Sequence, residues 1–260
     1  MTDKVLAHND DGVLVVTLNR AAKKNAIDND MWVALRDIFN AARDDANVAC
    51  VLLTGAGDNF SAGVDLASFN DGGDGGDGGE GEVHPFEAGA RALAEFDKPV
   101  VAAARGAAVG GGATCLFHCD IVYGGESLKL RLPFASLALV PEWASSYMLQ
   151  ANIGAQRAAE LFYTAGWVDA DKALELGIIA QVIAEHDLLG HAMNKAREIA
   201  QWPVNSLQEI KRCLRLPHMP AINAAFEAEQ AAMGRQVMSA DNIEALTAFM
   251  EKRPPNFRRG

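Results

Sequence analysis

Residues 98–112 read KPVVAAARGAAVGGG, and this stretch predicts the central unit of the fold. The apolar run 100–104 is a candidate for a short buried strand, and glycines follow it at 106 and 110–112. Glycine lets the chain turn sharply and lets a ligand approach the backbone closely. An apolar helix is expected next, and the free NH groups at its N-terminus would favour a negative charge.

A second glycine turn is predicted earlier in the chain, where residues 59–66 read NFSAGVDL. This segment is expected to end a strand and to turn through Gly63 into a helix that Asp65 could cap. Taken alone, each glycine turn is more often ordinary chain geometry than a catalytic site. Two such turns whose NH groups converge on one oxygen would form an oxyanion hole.

Strand and helix patterns alternate along the rest of the first 190 residues, which predicts an α/β fold. Residues 29–43 carry apolar side chains at 31, 35, 38, 39 and 42, the spacing of one helix face, with Asp28 or Asn29 as the N-cap. Further short strands are predicted at 13–18, 50–54, 121–123 and 178–183.

The chain after residue 190 has helical patterns throughout. Prolines separate the predicted helices 191–202, 206–216, 221–238 and 242–251. We therefore divide the chain into a core at 1–190 and a helical region at 191–260 that packs on the core and on a neighbouring subunit. The apolar face of 221–238 suits such an oligomer contact.

Composition narrows the function classes. A chain of 260 residues, half of them hydrophobic, can bury one large α/β core. Its net charge of −11 repels polyanions, which argues against nucleic acid as a partner. The polar start predicts no secretory signal, no stretch is suited to span a membrane, and the four cysteines show no disulfide pattern. A cytoplasmic location is expected.

Three other features favour structural interpretations. Residues 51–57, VLLTGAG, resemble a dinucleotide-binding turn, but the third glycine is replaced by Phe60. The Gly, Asp and Glu segment 71–82 predicts a solvated loop, with a lid role left open, and lacks the spacing of a calcium loop. His118, near Cys115 and Cys119, favours core packing, so no metal site is predicted.

The 60–66 motif FSAGVDL together with Gly110–Gly112 resembles the enoyl-CoA hydratase/isomerase family, the crotonase superfamily. Supporting matches span the chain and lie at 18–20, 25–26, 119–120, 173–177 and 249–253. The resemblance implies a spiral of ββα units, a C-terminal helical trimerisation region, and assembly as a homotrimer or a dimer of trimers. It implies a CoA thioester as substrate without a further cofactor, and it assigns the oxyanion hole to the backbone NH groups of Val64 and Gly111.

The reaction depends on carboxylates, and the usual hydratase pair is absent. Hydratases of this family use two glutamates, whose positions here hold Thr114 and Phe134, and neither side chain can transfer a proton. Residues 133–147, PFASLALVPEWASSY, resemble the peroxisomal type of Δ3,Δ2-enoyl-CoA isomerase, whose catalytic glutamate matches Glu142. A single carboxylate suffices to move a double bond from 3-enoyl-CoA to 2-enoyl-CoA through a dienolate.

Alternatives remain open at this point. The apolar neighbours of Glu142 are expected to raise its pKa, as an acid–base requires, but acids are also common just before a helix, and 144–152 has a helical pattern. The chain could instead be a ring-type isomerase, another enzyme of the family including a hydratase, or a catalytically silent acyl-CoA-binding scaffold.

The resemblance also implies a binding site for CoA. Lys23 and Lys24 would meet a phosphate, although a solvated role is an equal alternative for each. The backbone around Ala62, Asp65 and Leu66 would hold the adenine and pantetheine. Near the C-terminus, Phe249 and Lys252 match a family position that reaches the CoA of a neighbouring subunit.

Overall fold

The computed structural model describes residues 2–65 and 83–257. Within these ranges the strands are β1 (Val5–Asp10), β2 (Val13–Leu18), β3 (Cys50–Gly55), β4 (Val100–Ala104), β5 (Ala107–Val109), β6 (Ile121–Gly125), β7 (Lys129–Arg131), β8 (Trp167–Asp169) and β9 (Gln181–Ile183). The helices are α1 (Asn29–Asp44), α2 (Pro85–Ala94), α3 (Gly111–Thr114), α4 (Ser145–Ile153), α5 (Ala155–Thr164), α6 (Ala170–Leu176), α7 (Leu188–Ala200), α8 (Val204–Arg215), α9 (Met219–Gln236) and α10 (Ala240–Met250). The predicted α/β class is confirmed.

The main sheet has the strand order β1-β2-β3-β4-β6-β9. Its strands run parallel from β2 to β9, and β1 is an antiparallel edge. Every residue of β3 and β4 is buried, as is usual for parallel strands with both faces covered. Neighbouring residues point to opposite faces, so Leu52 and Val101 pack toward α7 while Leu53 and Ala102 pack in the larger core with α1 and α2.

A second sheet, in the order β5-β7-β8, lies beside the first. Each of its first two strands follows directly on a strand of the main sheet, and a helix comes next. The order is β4, β5 and α3 in one unit, and β6, β7 and a 3₁₀ helix at Ala135–Leu137 in the next. This repeat agrees with the predicted spiral of ββα units, and it brings the glycine turns to the carboxyl-terminal side of β5.

The predicted C-terminal helices all form, and each begins two or three residues earlier than the pattern indicated. At the start of α1, the Asp28 side chain accepts a hydrogen bond from the Met31 amide, which confirms the predicted cap. The predicted strand 178–183 is too long, since β9 covers only its last three residues. Gly177 ends α6 in a left-handed conformation, and the Ile178 amide then donates to the Ala173 carbonyl, so the apolar run begins as a helix cap.

The helix α8 is anchored to the amino-terminal ends of the central strands by one buried lysine. The Nζ atom of Lys211 donates to Asp120 Oδ2 at 2.7 Å and to the Lys98 carbonyl at 2.9 Å. Asp120 directly precedes β6 and also accepts from the Val100 amide at the start of β4. No helix in the described ranges is both long and apolar enough to cross a membrane.

Candidate active site

The two predicted glycine turns lie side by side. Ser61 and Ala108 form a β-bridge, and the Val109 amide donates to the Ser61 carbonyl at 3.0 Å. Gly63 and Gly110 have φ values of +89° and +51°, in the region that favours glycine. The 59–66 segment was expected to end a strand, but its described residues form only two isolated bridges, Ser61 with Ala108 and Val64 with Ile27, so the expected strand is absent from them. The Asn25 side chain donates to the Asn59 carbonyl at 2.7 Å, in place of a strand partner.

The backbone NH groups of Val64 and Gly111 are close neighbours. A Cβ atom built on Gly111 would lie 3.7 Å from the Val64 nitrogen, and one built on Gly63 would lie 3.2 Å from the Gly111 nitrogen. A parallel bridge between Ile27 and Val64 uses the Gly63 carbonyl and the Asp65 amide, so the Val64 amide points away from it. Gly111 begins α3, where an amide has no partner within the helix.

Glu142 places its carboxyl group beside these two amides. Its Oε1 atom lies 3.2 Å from the position of a Cβ on Gly111, and the Cγ2 atom of Val64 lies 3.4 Å from the same point. The helix that follows Gly111 is shorter than expected, because α3 changes into a 3₁₀ helix at Cys115–His118. The fold thus brings Val64, Gly111 and Glu142 together from three separate parts of the sequence.

The pKa of the Glu142 carboxyl is raised to about 8. The first cause is burial of the carboxyl group, although the residue as a whole keeps partial exposure, and the second is the nearby carboxyl group of Glu229. The direction confirms the prediction from the apolar neighbours of Glu142. The role of Glu229 was missed, although its spacing from Ile222 and Phe226 places it in the buried stripe of α9 and could have indicated it.

The backbone that follows Glu142 is held in an unusual conformation. Trp143 and Ala144 have φ values of +62° and +52°, both left-handed without being glycine. The Trp143 indole NH donates to the Ala90 carbonyl at 2.8 Å. The Trp143 carbonyl lies 2.6 Å from Nε2 of His118, whose pKa burial lowers to about 3. A neutral His118 that donates through Nε2 satisfies this contact.

His118, which the sequence analysis predicted to pack in the core, lies in the core. His118 and Cys115 are buried, and the imidazole of His118 stacks on Trp143 with ring centroids 5.7 Å apart. Across the described residues, no group of three or more His, Cys, Asp or Glu side chains is arranged to hold a metal ion. At the hydratase positions, Thr114 and Phe134 are both buried, and Phe134 packs against Phe162.

The proposed CoA-binding residues fall into two places. The Ala62 amide donates to the Lys24 carbonyl at 2.8 Å, and Lys23 is exposed beside it, so both lysines border the first glycine turn. The Asp65 carboxylate accepts from Arg20 at 3.0 Å, an interaction that sequence reasoning missed. Leu66 and the segment 71–82 lie outside the described residues, as does the helix predicted after Asp65.

Phe249 and Lys252 lie elsewhere, at the exposed C-terminal end of α10. That helix is joined to the second ββα unit through Asn242, whose side chain donates to the Leu137 carbonyl at 2.8 Å. A cleft of about 590 Å³ opens between α8 and residues 94–97. None of the residues placed beside Glu142 lines that cleft.

Comparison with known proteins finds similar sequences and structures over nearly the whole chain. The model of the enoyl-CoA hydratase/isomerase family matches residues 8–260. The 1,2-epoxyphenylacetyl-CoA isomerase of Escherichia coli (strain K12) is 32% identical over 259 residues, 99% of each chain. The enoyl-CoA delta isomerase 2 of Rattus norvegicus is 30% identical over 96% of this chain and 64% of its own length. A crystal structure of an enoyl-CoA hydratase/isomerase from Pseudoalteromonas atlantica T6c superposes with a TM-score of 0.93 at 32% identity, covering 98% of this chain and 100% of its own.

Proposed function

Because the chain belongs to the enoyl-CoA hydratase/isomerase family and is thus a crotonase-fold enzyme of CoA thioesters, we propose that it converts 3-enoyl-CoA to 2-enoyl-CoA. The observation that carries this proposal is the position of the Glu142 carboxyl group beside the amides of Val64 and Gly111. Thr114 and Phe134 occupy the positions of the two hydratase glutamates, so activation of a water molecule lacks its usual acid–base groups.

The reaction needs one group that accepts and then returns a proton. Glu142 takes a proton from C2 of the 3-enoyl thioester, and the electrons of that bond delocalise into a dienolate. The negative charge collects on the thioester oxygen, which accepts hydrogen bonds from the Val64 and Gly111 amides. The protonated Glu142 then gives the proton to C4, and the double bond lies between C2 and C3.

The electrostatics of Glu142 support this role. A carboxylate with a pKa near 8 is a stronger base than an ordinary glutamate, and its protonated form is available for the return step. Its rate of proton abstraction depends on the ionised fraction, so kcat/KM is expected to rise with pH up to about 8. A carboxylate with an ordinary pKa of about 4.3 is already ionised at neutral pH, so kcat/KM would not change with pH between neutral pH and about 8.

Binding of the CoA moiety is proposed at the edge of the first glycine turn. Lys23 and Lys24 border that turn and are proposed to meet a phosphate, while the backbone of Ala62, Asp65 and Leu66 holds the adenine and pantetheine. We place Phe249 and Lys252 at the CoA site of a neighbouring subunit in a homotrimer or a dimer of trimers. A cytoplasmic location remains part of the same proposal.

Two alternatives have support of their own. The family includes hydratases, and the Escherichia coli relative at 32% identity is named an isomerase of an epoxide of phenylacetyl-CoA. A hydratase or a ring-type isomerase would use the same oxyanion hole. A silent acyl-CoA-binding scaffold is the third alternative, and the position of the Glu142 carboxyl over Gly111 argues against it.

An absorbance assay of 3-enoyl-CoA substrates of several chain lengths tests the proposal, because the conjugated 2-enoyl product absorbs. Glu142→Gln should lower kcat by about 10²- to 10⁴-fold, the range of a general acid–base contribution. Glu160→Gln, an exposed glutamate of α5, is the matched control and should have no effect.

Full activity of Glu142→Gln would remove this carboxyl from the mechanism. Hydration of 2-enoyl-CoA without isomerisation would support the hydratase alternative instead. Tight binding of acyl-CoA without any turnover would support the scaffold.

A further inference from the structure

The helix that follows Glu142 lacks an N-terminal cap from its own sequence. Ala144 occupies the N-cap position of α4 and has no side chain that could accept a hydrogen bond. A carboxylate from another helix takes that place, since Oε1 of Glu229 in α9 accepts from the Ser146 amide at 2.8 Å. The turn that carries Glu142 is therefore tied to α9 through one buried side chain.

This turn requires support from its surroundings. A left-handed conformation costs a residue with a Cβ atom about 1–2 kcal/mol, and Trp143 and Ala144 both adopt it in succession. His118 and Ala90 hold the Trp143 side of the turn by hydrogen bonds. On the other side, Glu229 contacts the backbone at Ser146, so loss of that contact would free the turn to relax.

The second feature of Glu229 is its uncompensated charge. The residue is 6% exposed, and its Oε2 atom is buried without a hydrogen-bond partner in the described part of the chain. Burial raises the pKa of Glu229, and the hydrogen bonds from Ser146 and Ala144 oppose that rise. Two neighbouring carboxyl groups disfavour each other's ionisation.

Other titratable groups on the packed elements are engaged elsewhere. On α2, Arg91 pairs with Glu87 at 2.9 Å and lies over the ring of Phe226 in α9. The hydroxyl of Tyr147 on α4 contacts Nδ1 of His218 at 2.7 Å. The imidazole of His118 is neutral because burial holds its pKa at about 3. Within residues 2–65 and 83–257, Glu229 is therefore the charged group that acts on Glu142.

We infer that Glu229 is a positioning residue for Glu142: it anchors the turn that carries the catalytic carboxyl and holds a second carboxyl group beside it. The inference rests on the proposed function only in treating Glu142 as the acid–base. It assigns a role in the reaction to a residue of the C-terminal helical region.

Two substitutions separate the anchor from the charge. Glu229→Gln keeps an oxygen that can accept from the Ser146 amide but removes the charge, whereas Glu229→Ala removes both. Glu227→Gln changes an exposed glutamate of the same helix and is the matched control. We expect the Gln variant to keep kcat within a few-fold at high pH and to shift the kcat/KM profile to lower pH. In the Ala variant, the misplaced carboxyl should lower kcat by about 10²-fold with KM little changed.

A second measurement does not depend on activity. In protein labelled with ¹³C at the glutamate carboxyl carbons, the signal missing from Glu142→Gln identifies Glu142, and its titration gives the pKa directly. Glu229→Gln should move this titration to lower pH, and Glu227→Gln should leave it in place. Thermal unfolding of each variant checks that the fold persists.

The inference is overturned if the Glu142 titration is the same with and without the Glu229 charge, or if Glu229→Ala retains the kcat of the Glu227→Gln control. Absence of isomerase activity in the wild type would overturn the proposed function. In that case the carboxyl titration alone decides whether Glu229 controls Glu142.

Discussion

A carboxyl group lies at each end of the central part of the fold, and the two groups have opposite surroundings. At the amino-terminal ends of the central strands, Asp120 pairs with Lys211 at 2.7 Å and also accepts from the Val100 amide. On the carboxyl-terminal side of β5, Glu142 is close enough to Glu229, a group of the same charge, for that charge to raise its pKa. Asp120 is supplied with a backbone donor and a cation, whereas the charge that acts on Glu142 within the described ranges is that of another carboxyl group.

Because of this difference, Asp120 contributes to the stability of the fold and Glu142 to the proposed reaction. An ion pair between the buried Lys211 and the more exposed Asp120 holds α8 on the sheet, and removing the lysine leaves Asp120 without its cation. A buried carboxyl beside a second carboxyl has a raised pKa, which makes it a base at the cost of the stability of its ionised form. The same side-chain chemistry therefore serves the fold at one end and the proposed reaction at the other.

The largest effect is expected from removing the cation that pairs with Asp120. Lys211→Met leaves Asp120 without its cation and should lower the free energy of unfolding by about 2 kcal/mol, below the range for a fully buried pair, because the Asp120 side chain is 32% exposed and stays hydrated. Chemical denaturation measures this change, with Lys172→Met as an exposed control. If the double variant Lys211→Met with Asp120→Asn recovers none of the loss, the uncompensated charge is not its cause.

Substitutions next to Glu142 should lower the activity of the enzyme more than its stability. Gly111→Ala places a Cβ atom 3.2 Å from Glu142 Oε1 and 3.4 Å from Val64 Cγ2, so the carboxyl must shift. The shift needed is a few tenths of an ångström, less than the displacement of about 1 Å that costs about 10²-fold, so we expect kcat/KM to fall by about 10-fold, with a smaller stability loss than in Lys211→Met. Gly234→Ala, where a Cβ meets nothing within 4 Å, is the control. Equal activity of the two variants would contradict the assigned geometry.

The pH dependence of stability distinguishes the two ends further. Glu142 binds its proton more tightly when folded, with a pKa of about 8 against 4.5 for the ordinary side chain. Its contribution to stability is therefore fully present at low pH and is lost as the pH rises from about 4.5 to about 8, by at most about 1.4 kcal/mol per pH unit. Denaturation curves at several pH values should show Glu142→Gln gaining stability relative to the wild type across that window. Parallel curves for the two proteins would show that Glu142 has an ordinary pKa.

The sequence predicted the parts of this site that depend on local backbone pattern. Gly63 and Gly110 adopt the positive φ angles that the glycine turns suggested, and the turns bring Val64 beside Gly111. The strand Val100–Ala104 was predicted with its observed bounds. These features follow from a few neighbouring residues, so they are readable without knowledge of the tertiary fold.

The parts that depend on distant packing were missed. The period of α9 shows that Glu229 lies on a buried face, but periodicity does not say which element covers that face. The three-residue strands β5, β7 and β8 are too short for an alternating pattern to emerge. One miss is local: at residues 178–180, the cap of α6, in which the Ile178 amide donates to the Ala173 carbonyl, overrides the strand preference of an apolar run.

The smallest effect is expected from a substitution near Glu142 that shortens a side chain and keeps the backbone amides in place. Val64→Ala removes the Cγ atoms near Gly111 but keeps the amide that is proposed to hold the thioester oxygen. Loss of a hole donor itself typically costs about 10²- to 10³-fold in rate. We therefore expect kcat to fall by far less than that. A steady-state assay of Val64→Ala and Gly111→Ala in parallel measures the two losses of activity. A loss as large as that of Gly111→Ala would mean that packing around the Val64 side chain, and not its amide, determines the geometry of the carboxyl and the hole.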